Sequence, residues 1–295
     1  MKATALSSRQ THRPVAQDQS FPDSKSSQRK LRLDELLVQR GLIDTRSGAQ
    51  RIIMAGQVLV AGEVSDKPGR SVDREVSLEV IEAPRYVSRG GTKLEAALDA
   101  FDVNPAGWTC ADIGASTGGF TDCLLQHGAG RVYAIDVGYG QLAWPLRQDP
   151  RVVAMERTNI RYLESLPEAV QLAVVDVSFI SLELVLPRVA ALLVPFGETI
   201  ALIKPQFEVG KGQVGKGGVV RDPRLHRAVL KERLSHAAAI GLAPAGLIRS
   251  PITGPAGNVE FLAWLRMGRH APSSRTLETW IQRCLMPAEK TAPSP

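Results

Sequence analysis

Between Ala111 and Asp122 the chain reads A-D-I-G-A-S-T-G-G-F-T-D, and few folds accommodate such a phrase. A β-prone run from Trp108 to Ile113 ends in six small residues, Gly114, Ala115, Ser116, Thr117, Gly118 and Gly119, and an apolar, helix-like segment from Phe120 through Leu125 follows. Strand, tight turn and helix in this order let a ligand approach the backbone closely, and the N–H groups of the helix start suit an anionic or carboxylate group. About twenty residues on, Arg131 to Val137 reads as a second strand carrying Asp136, the usual partner of a ribose diol in a doubly wound sheet. The pair implies a nucleoside-bearing ligand.

The loop is not the dinucleotide fingerprint. Where G-x-G-x-x-G requires a second glycine to admit a pyrophosphate, this chain has Ala115 followed by Ser116. A D-x-G-x-x-x-G-G loop without a phosphate-binding Lys or Arg fits S-adenosylmethionine better, because that cofactor carries a carboxylate and a ribose but no phosphate. Asp112, Gly114 to Phe120, Asp136 and Asp176 are then its expected contacts, with Asn159, after the third strand, near the adenine.

The flanking sequence supplies the rest of an α/β sheet. Strand-like runs at Val152 to Glu156, Leu172 to Val177, Thr199 to Lys204, Leu247 to Ser250 and Glu260 to Met267 are interleaved with helix-like runs. The helical runs are Ser88 to Phe101, Gln141 to Gln148, Leu182 to Leu193 and Arg224 to Ile240. That alternation predicts a parallel sheet buried on both faces, with its ligand beyond the strand carboxyl ends. Asp112, Asp136, Asp176 and Lys204 fall at or near those ends. Lys93, on the first turn of its helix, runs against the helix dipole and calls for a local partner. Between Lys204 and Arg224 lies a glycine-rich loop with Lys211, Lys216, Arg221 and Arg224. It resembles the start of a phosphate-binding P-loop, but Gly217 stands where Ser or Thr is needed, and no strand feeds it, so a nucleotide triphosphatase is excluded. Its cations suit a substrate backbone.

Ahead of this domain, residues 30–82 form a small module. Leu33, Leu36, Leu37 and Leu42 predict a short helix closed by Gly41, and a second helix runs from an N-cap at Thr45 to a stop at Gly56. Strands at Gln57 to Gly62 and Val76 to Ile81 follow. The order R-L-D-x-x-L, G-L, T-R-x-x-A, I-x-x-G-x-V-x-V-x-G resembles the ribosomal-protein-S4-like RNA-binding domain. That resemblance implies Arg32, Arg46 and Arg51 as RNA contacts; Ala61 departs from it, where the family usually has Asn in the strand turn. Net charge of +6 over 295 residues favours a polyanionic partner only weakly. Residues 1–29 read as a disordered tail, 83–88 as a linker and 271–295 as a second tail with one helix-like piece around Leu277 to Leu285. Three cysteines without C-x-x-C spacing argue against a disulfide framework or a zinc site, and no stretch is apolar enough to span a membrane, so a cytoplasmic protein without a metal is expected.

Lys93, Asp176, Lys204 and Glu260 form a K-D-K-E set that resembles the FtsJ-like RNA ribose 2′-O-methyltransferases. Together with the N-terminal module and the phrases S-R-G-G-T-K-L, D-I-G-A-S-T-G-G-F-T-D, I-K-P-Q-F-E-V-G and G-K-G-G-V-V-R-D-P, the chain is similar to the TlyA family of ribosomal RNA methyltransferases from about Leu31 to Met267. The fold implied is a Rossmann-like α/β methyltransferase domain at 89–270. The resemblance implies methyl transfer to a cytidine 2′-oxygen, with Lys204 as the base, Asp176 and Glu260 orienting the lysines and Lys93 near the hydroxyl. Ribosomal RNA or ribosomal subunits would be the partner, and DNA, lacking the acceptor hydroxyl, would not. Some members carry R-x-W-V at the junction where this chain has Arg85, Tyr86, Val87 and Ser88. Two other readings follow from the same residues: a non-catalytic RNA-binding assembly factor, and a haemolysin, a name some members bear although nothing in this sequence resembles a pore-forming protein.

Overall fold

A computed structural model describes residues 14–17, 30–81, 84–210 and 212–286, and the chain divides into two units at Arg85 and Tyr86. In the first unit, the apolar spacing of Leu33, Leu36 and Leu37 produces α1 (Leu33–Gln39), which packs on α2 (Arg46–Met54) through Ala49 and Ile53. Thr45 caps α2 by accepting from the Gly48 amide at 3.1 Å. Strands β1 (Pro14–Gln17), β3 (Val58–Val60), β4 (Glu63–Val64) and β6 (Leu78–Ile81) form one sheet in the order β1-β6-β3-β4. The short pair β2 (Leu31–Arg32) and β5 (Ser71–Val72) closes the other side. β1 falls in the segment expected to be a disordered tail; its pairing antiparallel to β6 fills that strand's outer edge. The rest of that tail lies outside the described residues.

The second unit is built on a seven-stranded sheet. In chain order its elements are α3 (Gly90–Phe101), β7 (Thr109–Ile113), α4 (Gly119–Gln126), β8 (Arg131–Ile135), α5 (Trp144–Gln148) and β9 (Val152–Met155). They continue with β10 (Val170–Val175), α6 (Leu182–Leu192), β11 (Leu193–Ile203), α7 (Pro205–Glu208), α8 (Pro223–Ala239), β12 (Leu242–Arg249), β13 (Phe261–Met267) and α9 (Ser274–Leu285). Strand order is β12-β13-β11-β10-β7-β8-β9. Alternation along β10 shows why both faces are buried: Leu172 and Val174 enter the core beneath α3 and α4, while Ala173 and Val175 enter the core beneath α6 and α8.

The Rossmann-like sheet and the small α+β unit expected from the sequence are both present, with three differences. The sheet is mixed, because β12 and β13 are joined without a helix and pair antiparallel, and β13 inserts antiparallel beside β11. Within the expected linker, Tyr86 is buried and packs against Gly91, where a Cβ would lie 2.2 Å from its ring, so Tyr86 to Ser88 belong to the second unit. The C-terminal segment is no tail as far as Met286: α9 packs on α8 and β12, with Ile281 and Cys284 buried in the core. Among the described residues no helix is long and apolar enough to cross a membrane, and all three cysteines are buried and outside any disulfide.

Candidate active site

Parallel strands β7, β10 and β11 end on the same edge of the sheet, and β13, running the other way, begins there. Gly114, Asp176, Lys204 and Glu260 are the residues immediately beyond those ends. Gly114, Asp176 and Lys204 line a cleft of about 470 Å³ with Lys93, Ser116 and Thr253, and Glu260 is buried outside that lining. Ala115, Thr117, Gly119 and Phe120 line it as well; Gly118 faces away, toward Leu142 and Leu146. Gly114 adopts φ +86°, and a Cβ there would sit 2.5 Å from the Asp176 carbonyl oxygen. A Cβ on Gly119 would lie 2.1 Å from the Ser88 Oγ. The glycines thus let the loop lie flat against the neighbouring strand end and the start of α3.

Two lysine–carboxylate pairs meet this cleft. Lys204 Nζ lies 2.5 Å from Asp176 Oδ1 and donates to Ser178 Oγ at 2.9 Å. Lys93 Nζ lies 2.6 Å from Glu260 Oε2, and both side chains are buried. That partner explains a lysine in the first turn of α3, because the carboxylate outweighs the unfavourable dipole. The four residues are therefore brought together as two adjacent salt-bridged pairs, one opening to the cleft and one beneath it.

The other expected cofactor residues are placed differently. Asp112 is fully buried under the loop, where its Oδ2 accepts from the Thr121 amide at 2.9 Å and the Thr121 hydroxyl at 2.7 Å. Burial pushes its pKa up to about 7, against those hydrogen bonds and with help from the charges of Asp176 and Asp136. It holds α4 to β7 and does not line the cleft. Asp136 accepts from the Ser116 amide at 2.8 Å and the Gly138 amide at 2.6 Å, and lines a smaller hollow with Gln141, Leu142 and Glu156. Glu156, at the end of β9, was not singled out in the sequence; it accepts from the Gly140 amide at 2.8 Å and pairs with Arg147. Asn159 caps a short 3₁₀ turn by accepting from the Arg161 amide, and lines neither hollow.

Aromatic residues at the cleft edge had no legible sequence signal. Phe179, one residue after Ser178, is 90% exposed in a left-handed conformation, φ +63°, which is strained for a bulky side chain. Its ring stands 4.9 Å from that of Phe207, with Lys204 Nζ 5.8 Å from the Phe207 ring. Beyond β8 and β9, Arg157 lies over exposed Tyr139 and Arg161 over exposed Tyr162.

In the first unit, Arg32 and Arg46 converge on Asp34, a fully buried carboxylate that also accepts from Gln50. The Arg32 guanidinium above all holds the Asp34 carboxyl well below the usual range. The pair fixes both guanidiniums with about half of each side chain still exposed. Arg51 is exposed too, but stands about 140° around α2 from Arg46 and is not part of that cluster. Lys216 and Arg221 are exposed on the glycine-rich loop, and Lys211 lies outside the described residues.

Residues 86–267 match the family described as FtsJ-like methyltransferase, and residues 31–77 match the S4 domain. A Bacillus subtilis protein, YqxC, named as a candidate rRNA methyltransferase, is 52% identical over 271 residues, covering 89% of this chain and 95% of its own. The Mycobacterium tuberculosis 16S/23S rRNA (cytidine-2′-O)-methyltransferase TlyA is 47% identical over 262 residues, covering 87% and 98%. Among solved structures, a Streptococcus thermophilus protein described as a candidate haemolysin superposes with a TM-score of 0.66 at 44% identity, covering 88% of this chain and 96% of the other. With both domains matched in order and near-full-length identity of this degree, the chain belongs to the TlyA family of FtsJ-like methyltransferases.

Proposed function

We propose that this chain uses S-adenosylmethionine to methylate the ribose 2′-hydroxyl of a cytidine in ribosomal RNA. The observation that carries the reading is the convergence of the Lys204–Asp176 and Lys93–Glu260 pairs on one cleft beside a glycine loop. The residues present fit the cofactor. The cleft has the size of a cofactor site, the loop from Gly114 to Thr117 with Ser88 and Arg89 offers donors to a carboxylate, and Asp136 with Glu156 offers acceptors to a ribose diol in the adjoining hollow. When bound, the cofactor supplies a methyl group on a sulfonium, open to in-line displacement by an oxygen.

The protein's part is alignment and proton removal. Lys204 is the base that takes the hydroxyl proton at Nζ in this reading, and Asp176 and Ser178 fix that atom. Lys93 donates toward the acceptor oxygen while Glu260 holds it in place. Phe179 and Phe207 offer an exposed shelf on which an unstacked base can lie. The Arg32–Arg46 face and the cations of the glycine-rich loop take phosphates, which position RNA without reading its sequence. A ribosomal substrate also places the enzyme in the cytoplasm.

Purified protein incubated with tritiated S-adenosylmethionine and, separately, small subunits, large subunits and naked rRNA tests this. Label is expected at a cytidine 2′-oxygen, and is absent with Lys204→Ala, which still binds RNA. No label on any substrate, with cofactor and RNA binding demonstrated, would instead favour a non-catalytic RNA-binding factor.

A further inference from the structure

The glycine-rich loop is tied to the catalytic edge of the sheet at Gly218 and Val220. Val220 is buried, and both of its backbone polar groups are satisfied by buried side chains rather than by backbone. Its amide donates to Asn258 Oδ1 at 3.0 Å, and its carbonyl oxygen accepts from His226 Nε2 at 2.9 Å. Asn258 also donates from Nδ2 to the Gly218 carbonyl oxygen at 2.9 Å. Such fully paired buried polar groups specify one arrangement of the segments they join.

Both side chains meet the segment that carries Glu260. Asn258 precedes it by two residues, and the His226 ring packs edge-on against Phe261, the residue after it, at 5.7 Å. The turn before Asn258 is closed by the Gly254 amide donating to the Asn258 carbonyl oxygen at 2.9 Å. A Cβ on Gly254 would lie 2.5 Å from Glu260 Oε1, so this turn also packs on the catalytic carboxylate. Thr253, in the same turn, lines the cleft, and its carbonyl oxygen accepts from Arg89 at 2.7 Å. From Val220 the chain runs one residue to Arg221 and four back to Lys216, both exposed cations.

We propose that Asn258 and His226 are positioning residues that clip the basic glycine-rich loop to the start of β13, holding Lys216 and Arg221 in register with the Lys93–Glu260 pair for the RNA backbone. The proposal rests on the RNA methyltransferase reading. Neither residue touches substrate; the clip sets where the loop's cations stand. It replaces the entropy cost of ordering a mobile loop on substrate with an order already present before binding.

The test begins with steady-state kinetics of the wild-type full-length protein on ribosomal RNA; absence of turnover there refutes the reading of function itself. With turnover established, Asn258→Ala and His226→Leu are expected to raise KM for RNA about tenfold, with S-adenosylhomocysteine affinity kept within about twofold. Amide exchange of residues 215–221 is expected to accelerate in the free protein, a readout independent of activity. His226→Gln, whose amide can still donate to Val220, is expected to restore much of the loss. In the Lys216→Ala, Arg221→Ala background, Asn258→Ala is expected to add little, because the charges it positions are gone. Unchanged KM and unchanged exchange would overturn the proposal, as would full additivity with the charge variants. Should Asn258→Ala fail to fold, the His226→Leu and His226→Gln pair decides the question by the same readouts.

Discussion

Asp112 is a carboxyl group buried without a cation beside it, and its cost depends on pH. Its pKa rises from an ordinary 3.8 to about 7 because burial penalises the charge. Between those values the folded protein holds a proton that the unfolded chain has released, so stability falls as pH rises from about 4 to 7 and then levels off. The full effect is on the order of 4 kcal/mol. Asp112→Asn keeps an acceptor for Thr121 without the charge. It is expected to flatten this slope, raising the melting temperature at pH 8 more than at pH 5 in thermal unfolding; an equal shift at both would refute the assignment. Ala61 carries a smaller cost. It sits at φ +53° in the turn between β3 and β4, a left-handed position that glycine or asparagine tolerates and alanine does not. Ala61→Asn is expected to stabilise the first unit by about 1 kcal/mol in denaturant titration. The departure from the S4-like pattern was thus visible in the sequence, while its backbone cause was not. Asp112 shows the opposite failure. A strand-end aspartate reads as a ligand contact, and only the neighbouring Thr121, one turn into α4, reveals it as a buried brace.

Elements were legible where their own periodicity decides them and illegible where a partner does. The strand, loop and helix from Thr109 to Gln126 follow from local chemistry, and so does the placement of Asp176 and Lys204 at neighbouring strand ends. Reading Lys93 and Glu260 as a pair needed more: they are 167 positions apart, and their contact depends on β13 entering the sheet antiparallel. Nothing in an apolar strand pattern states direction. α9 makes the same point, since its amphipathic spacing announces a helix but not the surface that receives it. Ile281 is buried in the main core, and Cys284 donates to the Leu247 carbonyl oxygen at 3.4 Å. Ile281→Ala is therefore expected to destabilise the second unit by roughly 2–4 kcal/mol in urea unfolding, with activity per folded molecule unchanged. A destabilisation below about 0.5 kcal/mol, as for surface substitutions, would mean that α9 does not dock in solution. The exposed Phe179 shelf depends on an element end as well. Phe179→Ala removes ring area from the cleft edge and leaves the left-handed backbone cost in place, so it is expected to raise KM for RNA severalfold while leaving stability about equal. A variant with unchanged kinetics would remove the shelf from the mechanism.

At the scale of the whole molecule, the proposed RNA grip and the methyl-transfer chemistry fall to units with separate cores. The first closes around Leu33, Leu37, Ile53 and Val58, and the second around the two faces of its sheet. Among the described residues each core is made only of residues from its own unit, so the second keeps its own core partners when the first is removed. A fragment beginning at residue 84 is therefore expected to fold and to bind S-adenosylhomocysteine as the full chain does. It lacks the Arg32–Arg46 face, whose guanidiniums are pre-set on Asp34 and, on the proposed function, would meet phosphate without first being ordered. With two or three phosphate contacts removed, RNA affinity is expected to fall about 10- to 100-fold, and the dependence of log K on log salt to become shallower by about two units. Equilibrium RNA binding of fragment and full chain across a salt series measures both quantities. Because the salt slope counts phosphates neutralised, a fragment that binds more weakly at an unchanged slope would have lost contacts of another kind. The S4-like unit would then act on RNA shape or on the order of the catalytic unit rather than through its arginines. A parallel loss in slope and affinity, reproduced by Arg32→Ala with Arg46→Ala in the full chain, would locate the grip on those two residues.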